Sequence, residues 1–142
     1  MSRLYAETKD EGKRIQRLLK APLEAYFKES LTETYEEHPF DYKANSFWLE
    51  IKGRDFPYRS DDKWAEKGWW IGYPKVLACR KTKKPVYFIY YFVSDSTCWL
   101  LESKESLFAQ FAPFQNSQGQ WTVAVPKEYW TKLCLPPLCL VE

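Results

Sequence analysis

One histidine and five glycines in 142 residues narrow the chemistry open to this chain before any motif is sought. A triad of the Ser/His/Asp or Cys/His kind would have to be built on His38 alone, directly before Pro39, and no G-x-S-x-G elbow accompanies it. No G-x-x-x-x-G-K-[ST] or G-x-G-x-x-G is present, so nucleoside-triphosphate and dinucleotide chemistry have no footing. The four cysteines, Cys79, Cys98, Cys134 and Cys139, contain no C-x-x-C pair, which together with the lone histidine argues against a zinc finger. Cys134 and Cys139 could close a loop under oxidising conditions, but free buried thiols in a reducing compartment are the preferred expectation. Nowhere do ~20 apolar residues run without a charge, and Met1 to Asp10 lacks the apolar stretch of a signal peptide. The expectation is a soluble cytoplasmic or nuclear protein with no membrane partner.

What is abundant is charge and aromatic surface. The chain is 28% charged and carries a formal net charge of only +2, yet the balance is uneven. Residues 39–84 hold eleven Lys/Arg against six Asp/Glu, whereas residues 1–38 hold seven against eight and residues 85–142 three against five. A basic middle third suits a polyanionic partner. Arg54, Arg59, Lys63, Lys67 and the run Arg80, Lys81, Lys83, Lys84 are candidate phosphate contacts, although Arg80 to Lys84 would equally cap a helix C-terminus. Seven Trp, ten Tyr and nine Phe make up 18% of the chain. Most belong in a core; Trp64, Trp69 and Trp70, set among Lys and Asp, either pin a loop as a satellite cluster or face a substrate.

Periodicity places the elements. Ile15, Leu18, Leu19, Leu23, Tyr26 and Phe27 recur at helical spacing between Glu11 and about Glu29, with Pro22 predicting a kink or two short helices. Thr32 to Glu37 reads as a short edge strand, and residues 40–43 and 46–53 as a hairpin. Residues 54–70 read as a long polar excursion. Pro74 opens a short helix reaching Lys81, and Pro85 to Val93 is a nearly unbroken β-forming run, as expected of a central strand covered on both faces. Cys98 to Glu102 returns as its hairpin partner, and Gln120 to Val125 is a further strand before a short helix near Pro126. The whole is a single α/β domain, residues 1–142, with a mixed central sheet flanked by helices.

The hairpin carries the chemistry. Asn45 and Ser46 form a polar pair suited to a two-residue loop, so residues whose numbers sum to 91 pair across the strands. Asp41 then faces Glu50, with Cβ atoms roughly 4.5–5.5 Å apart, and alternation returns Lys52 to the face of Glu50. Opposed carboxylates require a positive charge between them. A hard divalent cation supplies one, and a nearby lysine adds a donor for an attacking water or a scissile phosphate. Alternatively, both acids are solvated residues of an edge hairpin.

Pro39-Phe40-Asp41 followed by Glu50-Ile51-Lys52 resembles the PD-(D/E)xK nuclease superfamily, with Phe40 standing between the proline and the aspartate. The resemblance covers about residues 12–93, and Ile71 to Val76 is similar to a segment that follows the motif in uncharacterised proteins of large DNA viruses. It implies a restriction-endonuclease-like core of helix, three strands, helix and strand, to which residues 94–142 add a C-terminal hairpin or strand and a short helix. It also implies hydrolysis of DNA phosphodiesters with Mg²⁺ or Mn²⁺. Asp41, Glu50 and the Ile51 carbonyl would hold the metal, and Lys52 would assist water attack. Glu24 on the first helix and Lys75 at the start of the second are accessory candidates. RNA is the alternative nucleic-acid substrate, and a homodimer would suit the cutting of two strands. The competing expectations are a non-catalytic nucleic-acid- or protein-binding module of the same fold, and an adaptor using exposed aromatics.

Overall fold

Ile15, Leu19 and Leu23 fall one helical turn apart and are all buried, which commits one stripe of a long helix, α1 (Ser2–Phe27), to the core. In this computed structural model the chain is described at residues 2–54, 58–63 and 68–135, residues 2–10 as backbone only. Pro22 lies inside α1, which runs through it as one helix, so of the two expectations, a kink or two short helices, the second is not met. Its ring removes the amide that would reach the Leu18 carbonyl, but Leu19 and Leu23 on either side are fully buried. Tertiary packing outweighs the local defect.

After α1 the chain forms β1 (Thr32–Glu33), β2 (Tyr42–Lys43), β3 (Trp48–Arg54), β4 (Trp69–Gly72), α2 (Tyr73–Cys79), β5 (Val86–Phe92) and β6 (Thr97–Glu102). It continues through α3 (Glu105–Phe108), β7 (Phe114–Gln115), β8 (Trp121–Val125), a 3₁₀ turn at Lys127–Tyr129 and β9 (Thr131–Leu133). Six strands make a mixed central sheet in the order β1-β2-β3-β5-β6-β9. Only β3 and β5 are parallel, and such a pair needs a long crossover, here the stretch that contains β4 and α2. The edge strand β1 is shorter than expected because the chain turns after it: Thr34 Oγ1 donates to the carbonyls of Phe40 and Asp41, and the His38 amide closes a turn onto Tyr35.

The main correction concerns residues 54–70. Trp69 and Trp70 begin a strand, and β4 joins β8 and β7 in a second, three-stranded sheet ordered β4-β8-β7. Residues 114–125 therefore join β4 in the second sheet, while β6 and β9 extend the central one. Gly68 makes the start of β4 possible. Its φ is +111°, and a Cβ there would lie 2.9 Å from the backbone of Ala124 and Val125, so only glycine lets the two strands approach. Cys134 is a second correction: it is disulfide-bonded and exposed, whereas Cys79 and Cys98 are free thiols. Cys139, Trp64 and Lys67 lie outside the described residues.

Alternation along β3 separates two cores. Leu49 and Ile51 point to the α1 side, where they cluster with Leu19, Leu23, Ile89 and Tyr91. On the opposite face Phe88, Tyr90 and Phe92 of β5 pack against Trp69, Ile71, Val76, Val123 and Val125. The central sheet is thus sandwiched between α1 and a layer formed by the second sheet with α2 and α3. Glu50 and Lys52 lie on this second side, the side that bears the cleft.

Candidate active site

The β2–β3 hairpin has the register expected from a loop at Asn45 and Ser46: Tyr42 pairs with Leu49 and Lys43 with Trp48, and the Ala44 amide donates to the Phe47 carbonyl at 2.9 Å. The ladder stops one pair short of Asp41 and Glu50. The Asp41 amide donates to the Leu49 carbonyl at 3.0 Å, and its carboxylate takes over as acceptor, with Oδ2 receiving the Ile51 amide at 2.8 Å. The Asp41 carbonyl receives the Thr34 amide at 3.1 Å. Asp41 is therefore fixed through its backbone and its carboxylate.

Glu50 projects from β3 into the cleft side, its side chain only 17% exposed. Its Oε2 lies 3.2 Å from Lys75 Nζ, and Lys75 also donates to the Pro39 carbonyl. Glu50 Oε1 is buried with no N–H or O–H donor in reach among the described residues, and the neighbouring carboxylate is that of Asp41. Burial, reinforced by the neighbouring Asp41 carboxylate and only partly offset by Lys75, pushes the Glu50 carboxyl up to about 8. Lys52 moves the other way: desolvation, then the nearby Arg54, hold its ammonium below the usual lysine range. Opposite shifts in adjacent groups of opposite charge are the pattern expected of an acid–base site.

These residues open into a cleft of about 610 Å³ lined by Glu50, Lys52, Arg54 and Lys75 on one side and by residues of β4, β8 and the β7–β8 turn on the other. Lys75, an accessory candidate, is thus in the site, one turn into α2, where Pro74 fixes the helix start. Glu24 is not: its Oε2 accepts the Leu31 amide at 2.7 Å, tying down the turn after α1, and α1 packs on the other face of the sheet. Ile51 buries its side chain among the α1 contacts, so only its main chain is available to the cleft. Arg54 lies 4.8 Å from the Tyr58 ring centroid and lines the cleft.

The remaining basic candidates lie elsewhere. Arg59 pairs with Asp61 at 2.9 Å on the surface, and Lys63 is exposed. Arg80, Lys83 and Lys84 border a separate cavity of about 510 Å³. Arg80 caps α2 and pairs with Glu105, and Lys84 reaches the Ala44 carbonyl and stands over Trp48. Lys81 follows the α2 cap, its amide donating to the Ala78 carbonyl. Helix capping and local packing therefore account for Arg80 and Lys84, Lys81 and Lys83 are exposed, and none of the four lines the cleft that holds Glu50 and Lys52. His38 is structural as well: its Nδ1 accepts the Phe40 amide at 3.0 Å and its ring packs on Trp48.

Of the wall across the cleft, the sequence offered only Trp70, one of the aromatics set against a substrate, which lines the cleft. Trp69 is fully buried against Tyr90, Phe92, Trp99 and Trp130, so it is core. Trp121 and the polar turn Asn116 to Gln120 supply the wall. Its local signal is a turn-forming N-S-Q-G-Q between two aromatics, but its position depends on pairing with β4. Among the described residues no group of three His, Cys, Asp or Glu side chains could hold a metal. Two adjacent carboxylates and a main-chain carbonyl still fit a Mg²⁺ that keeps waters in the rest of its shell. No protein-family model matches the chain, and no curated protein does.

Proposed function

We propose that the protein is a metal-dependent nuclease that hydrolyses DNA phosphodiesters, with the PD-(D/E)xK arrangement of Asp41, Glu50 and Lys52. The observation that carries this reading is the buried Glu50 carboxyl set against the Asp41 carboxylate, on the strand that also sends Lys52 into the cleft. The order α1, β1–β3, α2, β5 supports it, with β4 inserted before α2 as an addition to the restriction-endonuclease-like core.

Asp41, Glu50 and the Ile51 carbonyl would hold Mg²⁺ or Mn²⁺, which supplies Lewis-acid activation of water and offsets phosphate charge. Asp41 is preset for this task by the Ile51 amide. Desolvation holds the Lys52 ammonium below the usual lysine range, so it gives up a proton more easily than a solvated lysine does. From the face of Glu50 it donates to the attacking water or to a non-bridging oxygen. Arg54, two residues further along the same strand, contributes a second cation for the phosphate.

The test is cleavage of labelled DNA and RNA with Mg²⁺, Mn²⁺ or EDTA by wild type and by Asp41→Asn, Glu50→Gln and Lys52→Met, each checked for folding by circular dichroism. Metal-dependent cutting that all three substitutions abolish is expected. Full activity in Glu50→Gln would falsify the assignment. One observation favours a second reading, a non-catalytic nucleic-acid-binding module: Lys75 already places a positive charge on Glu50. Salt-sensitive binding without cutting in any metal would select it.

A further inference from the structure

Val123 and Val125 of β8 pair with Ile71 and Trp69 of β4, and all four are buried. A period of two puts Trp121 on the same face, but beyond the last core contact, where it is 53% exposed and lines the cleft. Among the described residues, packing gives no reason for a large indole at that rim. Nor is the rim loose: Asn116 Oδ1 accepts the amides of Gln118 and Gln120 at 2.9 and 3.0 Å, and Asn116 Nδ2 donates to Thr122 Oγ1 at 3.2 Å. The indole is carried on a braced hairpin.

Across from it stand Lys52, Arg54 and Lys75 against Glu50, a cationic wall facing an aromatic one. A nucleotide presents the complementary pair, a phosphate on one side and a base face on the other. In a duplex the faces of each base are covered by its neighbours, so an indole in a cleft can stack only on a base that is unpaired or flipped out. We infer that the cleft takes single-stranded nucleic acid, one base stacked on Trp121 with its phosphate beside Lys52 and Arg54. This assigns the substrate class of the proposed nuclease and rests on that reading for the role of the phosphate.

The test measures anisotropy of a labelled single strand of about twelve nucleotides, the matching blunt duplex and a mononucleotide, all in EDTA so that nothing is cut. The single strand binds more tightly than the duplex or the mononucleotide. Trp121→Ala weakens it by about 5- to 150-fold, the range one stacked base supplies, and Trp121→Phe retains most of the affinity. Equal affinity for duplex, equal affinity for mononucleotide, or unchanged binding by Trp121→Ala overturns the inference. Cleavage assays on the same proteins separate the two ideas. If Mg²⁺-dependent cutting persists with an unchanged KM in Trp121→Ala, the stacking platform fails and the nuclease stands. If binding collapses in a protein that never cuts, the nuclease fails and the platform stands.

Discussion

Replacing Glu50 by glutamine makes the metal-free protein more stable at neutral pH relative to wild type than it is in mild acid, by an amount set by the burial of the carboxyl. The folded-state pKa is about 8, against 4.5 for the carboxyl at its ordinary value. A carboxyl whose pKa is raised on folding is held as the neutral acid by the fold. Its contribution is complete below the unfolded pKa and is lost as pH rises towards the folded one. At pH 7 the protein stands about 2.5 units above the unfolded value, at about 1.4 kcal/mol per unit, so about 2–4 kcal/mol is lost between pH 4.5 and 7. Lys75 is already included, since its ion pair limits the rise. Glutamine keeps a similar shape without titrating. The assay is urea unfolding of both proteins in EDTA, followed by tryptophan fluorescence, at several pH values from 4.5 to 8. The stability gap between Glu50→Gln and wild type should widen in favour of the variant by that amount, moving the urea midpoints apart by about 1–3 M. Mg²⁺ should then restore stability to wild type alone, because it offsets the charge that burial penalises. Parallel stability curves for the two proteins across this range would refute the claim that Glu50 is a destabilised carboxylate.

Two further outcomes follow from contacts near the same strand. Lys75→Met removes the cation competing for Glu50 Oε2 and should tighten Mg²⁺ by about fivefold in calorimetry, the worth of a partly exposed ion pair; weaker Mg²⁺ binding would instead make Lys75 part of the metal-bound state. Gly53→Ala places a Cβ 2.3 Å from Cδ1 of the buried Ile15, and should cost about 1–3 kcal/mol in thermal or urea unfolding, with Ile15→Val in the same chain recovering much of the loss.

What could be read from the sequence was local. The Asn45-Ser46 loop fixed the hairpin register because its neighbours alternate on both sides, and the run from Pro85 to Val93 could be little other than a covered strand. Residues whose partners lie far along the chain could not be read this way. Trp69, Trp70 and Ile71 are too short a run to distinguish from a loop, and become a strand only because β8, some fifty residues later, pairs with them. Lys75 could be named only as an accessory candidate for a phosphate, because nothing local to α2 reveals that its first turn faces Glu50. Glu24 failed as a site residue for a related reason: helical position gave its distance from the apolar stripe, but not which side of the sheet the helix covers. Pro22 did not split α1 because propensity is a local quantity and the packing of Leu19 and Leu23 is not.

The pairing of β4 with β8 also sets the order in which the site can come into being. Asp41, Glu50 and Lys52 lie on one hairpin and its extension, elements that close over a short loop and form early. The wall opposite them must wait for a strand from the last quarter of the sequence. Burial of the Glu50 carboxyl and of the Lys52 ammonium is thus a property of the assembled fold and not of the hairpin that carries them, so a change that loosens β4 from β8 should reach the cleft without touching any of its charged residues.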